Sequence, residues 1–203
     1  MSGAGPLADA PTVAVTAVAG AEGARGAAAA LACAGADVDR AALFVDVGGR
    51  APRPTLLTST VAQQLEERLV AHLPKLRTAA RGQVCHIAVS ADQAGLEAAS
   101  AAVTVARGAL AVLHLAPSTF RSLLDNGFGP RPSGVLLRAD VAVDRPLLAL
   151  AVRDLIALDL AVAVLKRRLG WVAERRALFG ALPRGQTGGL PAPLLRQLIS
   201  QRE

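Results

Sequence analysis

Aromatic residues are nearly missing from this 203-residue chain: four Phe, one Trp and no Tyr, or 2% in all. That scarcity argues against stacked-base platforms for single-stranded nucleic acid. Cysteine is also scarce. Cys33 and Cys85 are too few for a disulfide framework, and neither sits in a Cys-x-x-Cys pair or beside a His cluster. A small disulfide scaffold and a thiolate zinc site are therefore excluded, and a reduced, cytoplasmic setting is expected. Only two of the 22 basic residues are Lys, namely Lys75 and Lys166, so the excess of six positive charges is carried by Arg. An Arg excess among so much Ala, Gly and Pro reads as a coding bias before it reads as a nucleic-acid surface. Long apolar runs are absent as well. The longest uncharged run, between Arg107 and Arg121, is interrupted by His114, Pro117 and Ser118, short of the roughly 18 residues a membrane span requires. No transmembrane segment is expected. The start, MSGAGPLADAPT, lacks the basic and apolar blocks of a signal peptide and reads as a flexible leader over residues 1–10.

What the chain does have is 52% hydrophobic residues, mostly Ala, Val and Leu. They fall into short blocks. Thr12 to Val18, Ala42 to Val47, Val84 to Val89, Ala109 to Leu115, Val135 to Leu137 and Leu160 to Leu165 read as six strands. Helical stretches separate them. Ala24 to Ala36 is Ala-rich; Ser59 to His72 carries Val61, Leu65, Leu69 and Leu73 at helical spacing; a third runs from Asp92 to about Arg107; a fourth opens at Pro117; a fifth is capped by Asp144 with Pro146 in its first turn. Strands this apolar are buried on both faces, which predicts an α/β domain over residues 11–168: three layers, doubly wound on a mostly parallel sheet, P-loop-like or Rossmann-like. Residues 169–203 form a basic C-terminal extension with a short apolar-striped helix at its end. Arg167, Arg168, Trp171, Arg175 and Arg176 cluster there as a candidate partner contact.

Thr16 to Ala32, TAVAGAEGARGAAAALA, places a glycine-containing loop between the first strand and the first helix. In nucleotide-binding folds, backbone N–H groups and a helix N-terminus hold phosphate at that position. The stretch resembles the deviant Walker-A segment of the MinD/ParA/CpaE family of P-loop ATPases, whose pattern is K-G-G-x-G-K-S/T. It aligns without gaps on Ala19, Gly20, Ala21, Glu22, Gly23, Ala24 and Arg25. Two glycines match, Gly20 and Gly23. Both signature lysines are replaced, by Ala19 and Ala24, and Arg25 stands at the Mg²⁺-binding hydroxyl. The block ALFVDV, ending in Asp46 and Val47, resembles that family's second strand, which places an Asp near the phosphates. VCHIAVS occupies the place of the strand bearing the metal-positioning Asp and offers Ser90 and Asp92 instead.

The resemblance implies a vestigial phosphate site at Gly20, Gly23, Arg25 and Asp46. It further implies a non-catalytic adaptor or regulatory relative of the TadZ/CpaE kind, with a protein partner in pilus assembly, cell division or DNA partition, and no cofactor beyond residual nucleotide binding. The P-loop lysine neutralises phosphate charge and the hydroxyl orients Mg²⁺; Ala24 does neither, so an active ATPase is not expected. Arg25 has the reach to meet a phosphate from the helix start, and Glu22 beside it would repel one. A small-molecule-binding or enzymatic Rossmann-like domain, using the crevice beyond Gly20, Gly23 and Asp46, is the alternative, and a DNA-binding protein a further one. His86 and His114 fall inside strands and read as hydrogen-bonded core residues; His72 reads as exposed. No metal-ligand spacing and no G-x-S-x-G elbow is present.

Overall fold

A computed structural model describes residues 11–18, 23–37, 39–50, 52, 58–127, 129–139 and 141–166. The leader, Gly20 and the whole Arg167–Arg176 cluster lie outside them. The elements run β1 (Thr12–Ala17), α1 (Ala24–Gly35), β2 (Ala42–Val47), α2 (Thr60–His72), β3 (Arg77–Arg81), β4 (Val84–Val89), α3 (Gln93–Val105), β5 (Leu110–His114), α4 (Pro117–Asn126), β6 (Gly134–Ala139), α5 (Val141–Ala157) and β7 (Ala161–Lys166). The seven strands form one sheet in the order β3-β4-β2-β5-β1-β6-β7. All neighbouring pairs are parallel except β3 with β4. The expected α/β architecture is present: a mostly parallel sheet whose central strands are buried throughout.

The two faces are covered unequally. Val13, Val15, Phe44, Val112 and Leu136 point to one face and pack against the Ala-rich α1. Small side chains let that helix lie close to the sheet. At Gly35 a Cβ would overlap the tip of the Leu110 side chain, which would have to move aside. The opposite face buries Leu43, Val45, Ile87, Leu113 and Leu137 under apolar residues of α2, α3, α4 and α5, among them Leu65, Leu96, Phe120 and Leu155. Helix starts follow ordinary capping chemistry. Ser59 Oγ accepts from the Ala62 amide at 3.3 Å and Asp92 Oδ1 from the Gly95 amide at 2.8 Å. Pro117 opens α4, and Gly127, at φ 66°, closes it.

Two boundaries differ from the sequence reading. β3, RTAAR, was not expected, because Arg77 and Arg81 are exposed and the strand is too short and polar to show an apolar block. It is an edge strand held from outside the ladder: Glu66 of α2 accepts from the Ala80 amide at 3.0 Å and the Thr78 hydroxyl at 3.3 Å. The second difference is α5. Asp144 is not its cap; the helix begins at Val141, and Pro146 sits inside it. One turn further in, a proline forfeits an i→i−4 bond that it would not cost at the first position.

Leu65 is fully buried between α2 and the sheet. Leu65→Ala is expected to destabilise the domain by about 2–5 kcal/mol, through lost transfer energy and the cavity left behind. Urea denaturation checks this as a lower midpoint at unchanged slope.

Candidate functional site: a buried carboxylate at the sheet edge

Strand alternation places one set of polar residues on the α1 face of an otherwise apolar sheet. Asp46 is the fifth residue of β2 and is completely buried. Register sets His114 of β5 directly beside it, and sets His86 of β4 beside Phe44, one position back on the same face. On β6, Arg138 pairs with Ala17 and so shares that face; it is buried to 4% exposure. Asp46, His114 and Arg138 lie toward the C-terminal ends of the parallel strands, where α/β sheets place ligands, and His86 lies mid-strand.

Four contacts define the cluster. Arg25 Nε donates to Asp46 Oδ2 at 2.6 Å, and its side chain is 55% exposed on the outer side. His114 Nδ1 lies 2.8 Å from Asp46 Oδ1. With the carboxylate ionised, that nitrogen carries the proton and donates it. His86 Nε2 stands 3.8 Å from Asp46 Oδ2, beyond hydrogen-bond distance, and has no partner at all. Its ring instead lies against Phe44, with centroids 4.8 Å apart. Gly49 closes the cluster. A Cβ there would overlap the Asp46 carboxylate, and the Gly49 amide bonds back to the Asp46 carbonyl at 3.3 Å.

The electrostatics follow from this packing. Burial is the largest influence on Asp46 and pushes its pKa up; the hydrogen bonds and charges of His114 and Arg25 together outweigh it and hold the carboxyl below its ordinary range. Burial dominates at His86 and pulls its pKa down; Asp46 opposes this, and Arg25 and Arg81 add to it. His86 is thus a neutral buried imidazole. The cysteines play no part: burial pushes the Cys85 thiol up to about 12 and raises that of Cys33, which leaves both without thiolate character.

Of the sequence-predicted site residues, Gly23, Arg25 and Asp46 come together. Gly23 is in the left-handed conformation, φ 93°, immediately before α1, as a tight strand-to-helix turn demands. Arg25 points at Asp46, inward, where a phosphate contact had been the alternative. His114 is hydrogen-bonded as expected, but it is half-buried at the end of its strand rather than in the core. His86 is in the core but lacks a bond at Nε2, contrary to that expectation, because Phe44 and the sheet surround it. His72 is exposed on α2 and meets only the Arg68 carbonyl. Ser90 and Asp92 serve the start of α3: the Ser90 hydroxyl donates to Asp92 Oδ1 at 2.6 Å, which with the Gly95 amide lowers the pKa of Asp92. Sequence reasoning missed Arg138, whose one signal is an Arg inside the apolar block GVLLRA. A groove of about 750 Å³ lies at the opposite, N-terminal edge of the sheet, lined by Arg40, Arg68 and Arg107 among others. Among the described residues no group of three or more His, Cys, Asp or Glu is arranged to hold a metal ion.

No family model matches this chain. No curated protein matches it. Among solved structures it is similar to the MinC:MinD cell division protein complex of Aquifex aeolicus, at 16% identity, covering 94% of this chain and 78% of that one, with a TM-score of 0.46. At that level of likeness the chemistry rests on the residues themselves.

Two outcomes are expected. Gly49→Ala should destabilise the fold by about 1–3 kcal/mol, the range for overpacking a filled site, read as a lower urea midpoint. The second concerns acid. The folded pKa of His86 is below its unfolded value, so below about pH 6.5 the unfolded chain binds a proton that the folded chain refuses. Stability therefore falls from pH 7 toward pH 5, and Asp46 adds a further loss only in stronger acid, as pH drops through its own lowered pKa. His86→Leu should flatten the decline between pH 7 and 5; an unchanged slope would assign it to other groups.

Proposed function

We propose that this chain is a non-catalytic adaptor or regulatory protein built on a MinD/ParA-like α/β domain. In it, the phosphate loop has given up its ligand to an internal ion pair. The observation that carries the reading is the Arg25–Asp46 contact at 2.6 Å. By the resemblance, both residues stand where a relative would face Mg²⁺ and phosphate. Here the arginine at the hydroxyl position neutralises the strand-end carboxylate. An incoming phosphate would meet an arginine whose charge Asp46 already balances, beside a carboxylate that repels it. Ala19 and Ala24 offer no lysine to offset that repulsion. The partner is a protein, in a process such as pilus assembly, cell division or DNA partition. The setting is cytoplasmic, which accords with the absence, among the described residues, of any helix long and apolar enough to cross a membrane. The basic cluster Arg167, Arg168, Trp171, Arg175 and Arg176 is the candidate contact in the extension.

A second reading is supported by a different contact. His114 donates a hydrogen bond from Nδ1–H to a buried carboxylate, the arrangement that fixes an imidazole tautomer and leaves Nε2 as the acceptor. On that reading the crevice beside Gly23 and Asp46 serves a small molecule.

Isothermal titration of the full chain with ATP and with ADP, each with Mg²⁺, separates these. The adaptor reading expects no saturable heat and no phosphate release. Micromolar binding accompanied by hydrolysis would defeat it. Binding without turnover, lost in His114→Ala, would favour the crevice.

A further inference from the structure

Helix α5 is apolar on the side that faces away from the domain. Its inner side, with Leu148, Ala151, Val152 and Leu155, packs onto the sheet beside β7. The outer side of residues 146–157 presents Leu147 at 51%, Leu150 at 48% and Ile156 at 61% exposure, alongside Ala149 and Ala157. Leu158, just past the helix end, is 50% exposed. Of the exposed large hydrophobic residues in the described structure, only Val70 lies elsewhere. Large apolar side chains left exposed together along one helix of a folded domain mark a candidate interaction surface.

The charges on that surface indicate what covers it. Exposed residues 146–157 carry two, Arg153 and Asp154, adjacent in the chain and paired with each other at 3.0 Å. They lie between Leu150 and Leu158. A two-fold interface demands a surface complementary to itself. One positive and one negative charge side by side at the middle of an apolar stripe meet that demand. Two antiparallel copies of α5, related by an axis near this pair, bring Arg153 of each copy to Asp154 of the other while the leucines pack on both sides.

We infer that α5 is a self-association surface: the chain forms a two-fold dimer through the outer face of residues 147–158. This assignment is independent of the adaptor reading, since it uses neither the phosphate loop nor Asp46. It also requires no nucleotide.

Sedimentation velocity of the full chain tests it. A dimer is expected at tens of micromolar, and Leu150→Glu should weaken association about tenfold or more. Charge reversals give the sharper readout. R153D and D154R each place like charges at the centre of the interface, so each variant alone should be monomeric. A mixture of the two should form the heterodimer, and the doubly reversed chain, R153D with D154R, should dimerise again. The intrachain pair is exposed and contributes little to folding, so circular dichroism of both single variants should match that of the parent. A full chain that stays monomeric throughout overturns the inference. So does a dimer indifferent to the reversals. A third overturning result is a chain ending at Lys166 that dimerises while the full chain does not, which would mean that residues 167–203 cover the face.

Discussion

A carboxylate with no exposed surface, at the end of a central strand, constrains everything around it. Removing one ion from water costs several kcal/mol even after relaxation, and the cost is recovered only where charges and hydrogen bonds converge. Asp46 obtains that convergence from two elements that are distant in sequence. Arg25 comes from the second residue of α1, and His114 from the last residue of β5. Each contact fixes a position. The helix must start where Arg25 reaches the strand, so the turn into it needs the left-handed Gly23. β5 must lie beside β2 in the register that sets His114 level with Asp46. The loop leaving β2 must double back over the carboxylate, and Gly49 is the residue that permits it. The sheet order, with β5 between β2 and β1, is the one that brings His114 to this charge.

The same convergence bears on how an anion would be received there. A ligand anion at a helix N-terminus is normally the group that satisfies nearby cations. Asp46 takes that role from inside the protein. Preorganised and already dehydrated, it competes with any phosphate that must shed water before arriving. His86 shows the limit of the arrangement. It stands near the carboxylate yet makes no bond at Nε2, and burial keeps it neutral. Protonation would give it an attractive partner in Asp46 but would place a second cation beside Arg25, and the desolvation cost decides the balance.

Much of the layout was legible in the sequence because a buried parallel strand announces itself. Blocks such as ALFVDV and VCHIAV have no other plausible place than a sheet interior, and Pro117 and Asp92 mark helix starts by local chemistry. β3 escaped because its stability is not local. RTAAR is a strand only where β4 pairs one edge and the Glu66 carboxylate caps the other. The start of α5 escaped for the opposite reason: Asp144-Arg-Pro146 imitates an N-terminus, yet the helix begins at Val141. Arg25 and Asp46 were both visible as candidates, yet the bond between them was not. A pattern of residues gives alternation within a strand but not which strand lies beside which. His114 therefore gave no sign in sequence that it would meet a carboxylate 68 residues away.

Helix α5 raises a question that composition alone conceals. An Ala- and Leu-rich chain makes apolar helices easily, so an apolar helix here carries little information in itself. The difference lies in how its neighbours manage their outer faces. α2 turns Gln63, Gln64, Glu67 and Arg68 outward, and α4 turns Arg121, Ser122 and Asp125 outward. Both spend polar residues where water is met, so the composition does not forbid a wetted face. Over its exposed residues 146–157, α5 carries one opposite-charge pair set among leucines. Coding bias would scatter Ala and Leu over every helix alike, and it does not explain why large apolar side chains stand exposed on α5 while those that α1 leaves half-buried are small. α5 packs on the side of the sheet opposite α1. Pairing through its outer face therefore leaves the Asp46 cluster and the C-terminal strand edge uncovered in both copies. The buried charge organises one side of the sheet, and the apolar helix lies on the other.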